Sequence, residues 1–416
     1  MRQVIKCGHL FDVNEKRFRE QANVYIEGNE IVKVEYGAAG PEEGWEVVDL
    51  SGKYVMPGFI DCHVHLIMNG EPDGTASMSA ATDGDMAFKA YVYAMRDLEA
   101  GFTSLRDEGS TGFADIALRN MIENGTVKGP RIFCSGMPLG TTGGHADSHF
   151  NPYITGRTSM GLIVDGPDAG RAAARENFKR GADQIKLMAT GGVMSVGDDP
   201  GAPEFTVEEM KAICDEAKRK GKLTSAHTHG TLGIKWAVEA GIDTIEHGTM
   251  LDEEGLKMMV DAGTWLVPTL CAPYNIMRHG VEAGIPQEMV DKCAMVADRH
   301  KKSTRMAYEG GVKIAFGTDT GTPFSTHGSQ ALEFELLVDD GFAPEDAILS
   351  ATKSAAKMLR WDHKVGAVEA GKLADLVAVD TDPIADIRAL QKVTFVMKEK
   401  SSKIDRDRRP AVLQRE

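Results

Sequence analysis

His63 and His65 stand one residue apart at the end of the apolar run GFIDCHVHL (58–66). In a β-strand the side chains alternate with a period of two, so both imidazoles face the same way. Neutral imidazoles are common metal ligands, and two on one face make a pair of donors. Further metal-type residues end other apolar runs: Lys186 in QIKLMATGG, His227 in LTSAHTHG, His247 in DTIEHG and Asp319 in KIAFGTD. Taken singly, each has a plainer reading. A strand histidine can be a hydrogen-bonded core residue, a lysine can snorkel to solvent, and an aspartate can cap the next helix. A fold that brings all six to one rim makes them a metal site.

The cadence of the chain supplies such a fold. From residue 58 onward, eight short apolar runs alternate with polar loops, helical patterns and glycines: GFIDCHVH, FTSLRD, PRIFCSG, QIKLMATGG, LTSAHTHG, DTIEHG, WLVPTL and KIAFGTD. Segments such as DMAFKAYVYAMRDLEAG and TVEEMKAICDEAKRKG carry helical periodicity. The second opens on Thr206 with Glu209 three residues on, a capping-box signature. Gly101, Gly181, Gly221, Gly241, Gly263 and Gly311 close helical patterns just before the next strand. Eight alternations predict an α/β chain folded as a (β/α)8 TIM barrel over 58–364, with its active site at the C-terminal ends of the strands. An open doubly wound sheet is the alternative, but no GxGxxG or Walker loop follows a strand.

The flanks read as strands and turns. VYIEGNEIVKVEY predicts a hairpin around Gly28-Asn29. Residues 1–57 and 365–400 are expected to pair into one small composite β-sandwich, followed by a frayed, charged tail over 401–416.

Bulk properties bound the function. The 416 residues, 42% of them hydrophobic, hold no run of eighteen apolar residues, and the first sixteen lack a signal-peptide core, so no membrane span is expected. A formal charge of −15 argues against a nucleic-acid partner. Six scattered cysteines without a CxxC pair suit a reducing compartment, and a cytoplasmic location is expected.

With these residues in place, the chain resembles the amidohydrolase superfamily along nearly its whole length. VMPGFIDCHVH ahead of the barrel and GKLADLVAVD behind it look like that family's usual bookends. The resemblance implies that His63 and His65 hold one divalent metal, that His227 and His247 hold a second, and that Lys186, carboxylated by carbon dioxide, bridges them. Asp319 would bind the first metal and act on the attacking water. A free lysine is a cation and a poor ligand, whereas a carbamate is an anion with two oxygens. This nitrogen and oxygen donor set suits zinc, which lowers the pKa of bound water to roughly 7.

TTGGHAD (141–147), QIKLMATGGVMS (184–195), AHTHG (226–230), DTIEHGT (243–249) and FGTD (316–319) narrow the resemblance to the imidazolonepropionase-like and Xaa-Pro dipeptidase and carboxypeptidase group. Some relatives have tyrosine two residues after the strand-five histidine, where this chain has His229. His145 and His229 are therefore candidates to grip the free carboxylate of a small substrate. His229 could instead be the metal ligand, and His145 could be a loop residue bonded to its own turn. Arg157 and Tyr274 are further candidates for the pocket wall. In the loop GDDPGAPEF (197–205), Asp198, Asp199 and Glu204 could select a basic residue or only keep the loop soluble.

The implied activity is release of a C-terminal amino acid from dipeptides, N-acyl amino acids or aromatic amides, mycotoxin amides such as ochratoxin among them. The alternatives are a cyclic-amide or deaminating hydrolase, and a non-catalytic metal-binding scaffold. The resemblance also implies a homo-oligomer.

Overall fold

The computed structural model describes residues 2–37, 43–147, 159–399 and 402–405. The eight apolar runs become the strands of a parallel barrel. They are, in order, Phe59–Val64, Phe102–Asp107, Arg131–Cys134, Gln184–Met188, Leu223–Thr228, Thr244–His247, Trp265–Val267 and Lys313–Ile314; they are called strands one to eight below. Strands one to three form one hydrogen-bonded ladder and strands four to eight another. Two seams close the ring. At one, Asp183 N donates to Cys134 O at 2.7 Å; at the other, Cys62 N donates to Phe316 O at 2.9 Å and His65 N to Thr320 O at 2.8 Å. Strands one, two, four, five and six are buried along their whole length. That explains their near-continuous apolar character, because helices cover the outside of the barrel.

The helix signals act where they were read. Thr206 and Glu209 form a reciprocal capping box on helix Val207–Arg219, and helix Asp83–Glu99 opens on a second box from Thr82 and Asp85. Gly181 closes helix Pro167–Arg180 at φ +106°, a left-handed conformation that costs other residues a steric clash. The connection from strand seven to strand eight is a long one. It carries helix Cys271–His279 and the 23-residue helix Gln287–Glu309, which packs on it.

Both chain ends meet in one seven-stranded sheet, in the order 402–405, 395–398, 375–379, 46–57, 2–12, 17–27, 30–36. The hairpin at Gly28 is present, with Glu27 opposite Glu30. The sheet curls, so that Ile26 and Ile31 at one end share an apolar cluster with Leu376 and Met397 towards the other. One continuous ladder thereby encloses a core of its own. The tail differs from expectation at Ser402–Asp405, which pairs antiparallel with Phe395–Lys398. The added strand takes up backbone groups that an edge strand would leave unpaired. All six cysteines are buried and free. Among the described residues no helix is long and apolar enough to cross a membrane.

Candidate metal centre and active site

Strand one delivers His63 and His65 to the rim of the barrel, as its alternation requires. Asp319 reaches them from the far side of the closing seam. Its N–H donates to His63 O at 2.8 Å, and its Oδ1 lies 3.4 Å from His63 Nε2 and 3.3 Å from His65 Nε2. The backbone at Asp319 is left-handed, φ +59°, an unfavourable conformation for a side chain that tertiary contacts must hold. His63 Nε2 is buried with no hydrogen-bond partner. Its other nitrogen, Nδ1, sits 2.8 Å from Glu246 Oε2, so a carboxylate orients the ring and leaves Nε2 bare.

A second group forms on strands five and six. Ligand atoms of His227, His229 and His247 all lie within 4.8 Å of one another. His247 Nε2 approaches His227 Nδ1 at 3.0 Å. His247 Nδ1 meets Thr269 Oγ1 at 2.7 Å, and His229 Nδ1 meets Thr249 Oγ1 at 2.6 Å. Burial, reinforced by the neighbouring imidazoles, pushes His227 and His247 well below the usual imidazole range. His63 is pushed the same way, by burial first and then by Lys186. A neutral imidazole is the form that offers a lone pair to a cation. The residues therefore fit divalent metals: two groups of three nitrogen or oxygen donors, one holding the orphaned Nε2 of His63 and the other the buried, neutral-favouring rings of His227 and His247.

Lys186 lies beneath these groups, 1% exposed, with Nζ 3.1 Å from Glu108 Oε2. Above them opens a cavity walled largely by apolar side chains. Five are methionines: Met68, Met78, Met160, Met188 and Met194.

The Amidohydrolase family model matches residues 54–401. The chain belongs to the amidohydrolase family. An ochratoxinase from Aspergillus niger is 34% identical over 368 residues, covering 83% of this chain and 74% of its own. A solved structure of a Xaa-Pro dipeptidase with methionine bound in the active site superimposes with a TM-score of 0.89 at 36% identity, covering 96% of this chain and 98% of the other. An imidazolonepropionase from Fusobacterium nucleatum subsp. nucleatum is 25% identical over 391 residues, covering 87% of this chain and 86% of its own. This amidohydrolase is thus a metal-dependent enzyme acting on carbon–nitrogen bonds of the amide type.

Eight of the ten residues singled out in the sequence line the one cavity: His63, His65, His145, Lys186, His227, His229, His247 and Asp319. Tyr274 does not reach it. It packs against the main core, with the Arg278 guanidinium 6.0 Å from its ring centre, while its neighbours Ala272, Pro273 and Ile276 face the cavity instead. The segment is helical, Cys271–His279, and one turn of helix decides which residues point inward. Arg157 lies outside the described residues. His229 belongs to the same nitrogen group as His227 and His247, so both of its readings remain compatible with the geometry. His145 sits with its ring stacked on His227, centroids 4.3 Å apart, and its Nδ1 is 2.7 Å from Ser195 Oγ.

Of the loop acids, Asp199 is exposed, as a solubilising residue would be, whereas Asp198 and Glu204 are tied to the protein's own groups. Asp198 forms an ion pair with Lys292 at 2.7 Å, Glu204 accepts the His145 backbone N–H at 2.6 Å, and Asp199 accepts from Gly201 N within its own turn.

The sequence reading also missed a charged layer under the metal site. Arg106 Nη2 donates to both oxygens of Glu246 at 2.8 Å, and its Nε lies 2.9 Å from Glu108 Oε1. Gln184 and Ser225 donate to Glu108, and Thr244 to Glu246. Arg106 and Glu108 share a strand face, a signal visible in FTSLRDEG. Glu246 was hidden because its neighbour His247 also points inward. The left-handed turn at His247, φ +68°, breaks the strand alternation and lets both serve the site.

Proposed function

We propose that this amidohydrolase holds two divalent metals, zinc by its donor set, and releases a C-terminal amino acid from N-acyl amino acids, dipeptides or aromatic amides. The observation that carries the proposal is the pair of three-donor groups at the floor of one wide, methionine-walled cavity. His63, His65 and Asp319 would hold one ion and His227 and His247 the other, with a carbamate on Lys186 between them. When bound, the ions supply Lewis acidity and bring the pKa of water to about 7. Asp319 Oδ1 takes one proton from the attacking water and hands it to the leaving nitrogen. The hydroxyl joins the acyl carbon as the C–N bond breaks. Such proton relay contributes about 10²–10⁴-fold. The cavity wall suits a bulky apolar acyl or aromatic group, because thioethers are adaptable and pack well on aromatic faces. Ochratoxin is a candidate on this reading, by the likeness to the ochratoxinase. A free carboxylate on the leaving side is supported by the methionine in one similar active site, since methionine is itself a free acid. The buried free thiols suit a reducing compartment.

The test is a panel of N-acyl amino acids and dipeptides, each assayed as free acid and as C-terminal amide. Turnover of the free acids with poor turnover of the amides is expected. Equal rates on both forms overturn the carboxypeptidase reading and favour cyclic-amide hydrolysis, for which the likeness to imidazolonepropionase speaks.

A further inference from the structure

Between strand four and the helix Gln287–Glu309 the cavity wall is built around a buried ion pair. Lys292 and Asp198, whose side chains are 10% and 6% exposed, meet at 2.7 Å. The loop 191–198 closes around them. Lys292 Nζ has two backbone oxygens within reach besides the carboxylate, Ser195 O at 2.9 Å and Gly192 O at 3.3 Å. Asp198 accepts Gly192 N–H at 2.7 Å and the Ser195 hydroxyl at 2.6 Å. Glu288, one helical turn before Lys292, accepts Gly197 N–H at 3.0 Å. The pair thus satisfies backbone groups that an apolar wall would otherwise leave unpaired at a cost.

The residues between these anchors face substrate space. Val193 and Met194 stand between Gly192 and Ser195, and both line the cavity. They pack in one apolar cluster with Ile276, Cys293 and Val296, which line it too. Cys293 directly follows Lys292, so the ion pair and the wall share one turn of helix. The loop begins at the histidine group, where Gly191 O lies 3.4 Å from His227 Nε2.

We infer that the Lys292–Asp198 pair is a specificity strut, which holds Val193 and Met194 against the long helix and so shapes a subsite for an apolar arm of the substrate. The inference rests on the proposed amide hydrolysis and deepens it, because it names the residues that make the size of that arm matter. Lys292 and Asp198 do not line the cavity and are positioning residues; Val193 and Met194 make the contact. A buried ion pair adds little stability over an apolar pair of similar volume. Its worth here is geometric, since an apolar pair could not hold the carbonyls of Gly192 and Ser195.

The experiment uses the metal-loaded full chain and two substrate series. One enlarges the acyl group of an N-acylglycine from acetyl through hexanoyl to benzoyl, and the other enlarges the side chain of an N-acetyl amino acid from glycine through leucine to phenylalanine. Wild-type turnover of any member establishes amide hydrolysis, so failure of that reading is seen separately. Lys292→Met is expected to lower kcat/KM about 10-fold on the bulkiest member of at least one series, the worth of roughly two buried methylenes, and to leave N-acetylglycine within about 2-fold. An equal loss on every member overturns the proposal, because that is what a disturbance passed through Ser195 to His145, 2.7 Å away, would give. No loss on any member overturns it as well. Lys292→Met leaves a lone buried carboxylate, which destabilises the fold, so the double variant Lys292→Met with Asp198→Ala is made alongside. It should regain urea resistance relative to Lys292→Met without regaining the size preference. A preference that returns with the urea midpoint shows a role in stability alone and refutes the strut. Hydrogen exchange reads the loop without any substrate: faster exchange confined to 191–198 is expected in the double variant, and wild-type protection there also refutes the strut.

Discussion

Glu246 offers the sharpest test of how the site is supported, because one completely buried carboxylate serves two ends. It accepts from Arg106 at 2.8 Å on both oxygens and from Thr244 Oγ1 at 2.6 Å, and it lies 2.8 Å from His63 Nδ1. Arg106 is fully buried as well. Removing one partner of a buried ion pair costs about 3–5 kcal/mol, because the other charge is left without compensation in a poor solvent. Arg106 keeps Glu108 at 2.9 Å, so the lower end, about 3 kcal/mol, is expected for Glu246→Ala. The second effect is local. Without the carboxylate, the His63 ring loses the partner that fixes its orientation, and loss of such a partner weakens metal binding about 10- to 100-fold. The two effects separate by preparation. Urea unfolding of metal-stripped protein reads the first, and competitive metal titration of Glu246→Gln, which keeps the shape, reads the second. Glu254→Ala, which breaks an exposed pair with Lys235, is the control and should leave the urea midpoint in place. A metal-stripped Glu246→Ala variant with the wild-type midpoint would refute the charge argument. Unchanged metal affinity in Glu246→Gln would refute the orienting role of the carboxylate.

Lys186→Ala should abolish activity and lower metal content, with partial rescue by a small carboxylic acid; full activity in the variant rules out the bridge. Asp319→Asn should cut kcat far more than KM, since the proton transfer belongs to the transition state; a variant with most of its kcat assigns the proton to another group. Glu204 predicts a pH effect on stability. Burial raises its carboxyl from 4.5 to about 8, so between those values the folded state binds more protons than the unfolded one. Stability contributed by the neutral form is present below about pH 4.5 and falls as pH rises through about 8. Glu204→Gln should flatten that part of the stability profile, measured by urea midpoints across pH, and an unchanged slope would show that Glu204 ionises freely.

What the sequence determined by itself was whatever depends on local periodicity. The alternation in FIDCHVH put His63 and His65 on one face, and the Thr206–Glu209 spacing placed a helix start, because both are properties of neighbours along the chain. The eight-fold cadence then set the barrel, and the barrel rule carried strand-end residues to one rim. Tertiary structure decided everything that joins distant segments or breaks the local period. Arg106 meets Glu246 across 140 residues of sequence, a pairing that exists only once the ring is closed. Lys292 reaches Asp198 and, through it, Ser195 and His145 only because a helix 94 residues further on packs over the loop. At His247 and Asp319 the backbone turns left-handed, φ +68° and +59°, so the inward direction of those side chains cannot be counted off a strand. Such conformations are unfavourable locally and are held by contacts made elsewhere, which is why the residue types were legible and their orientation was not.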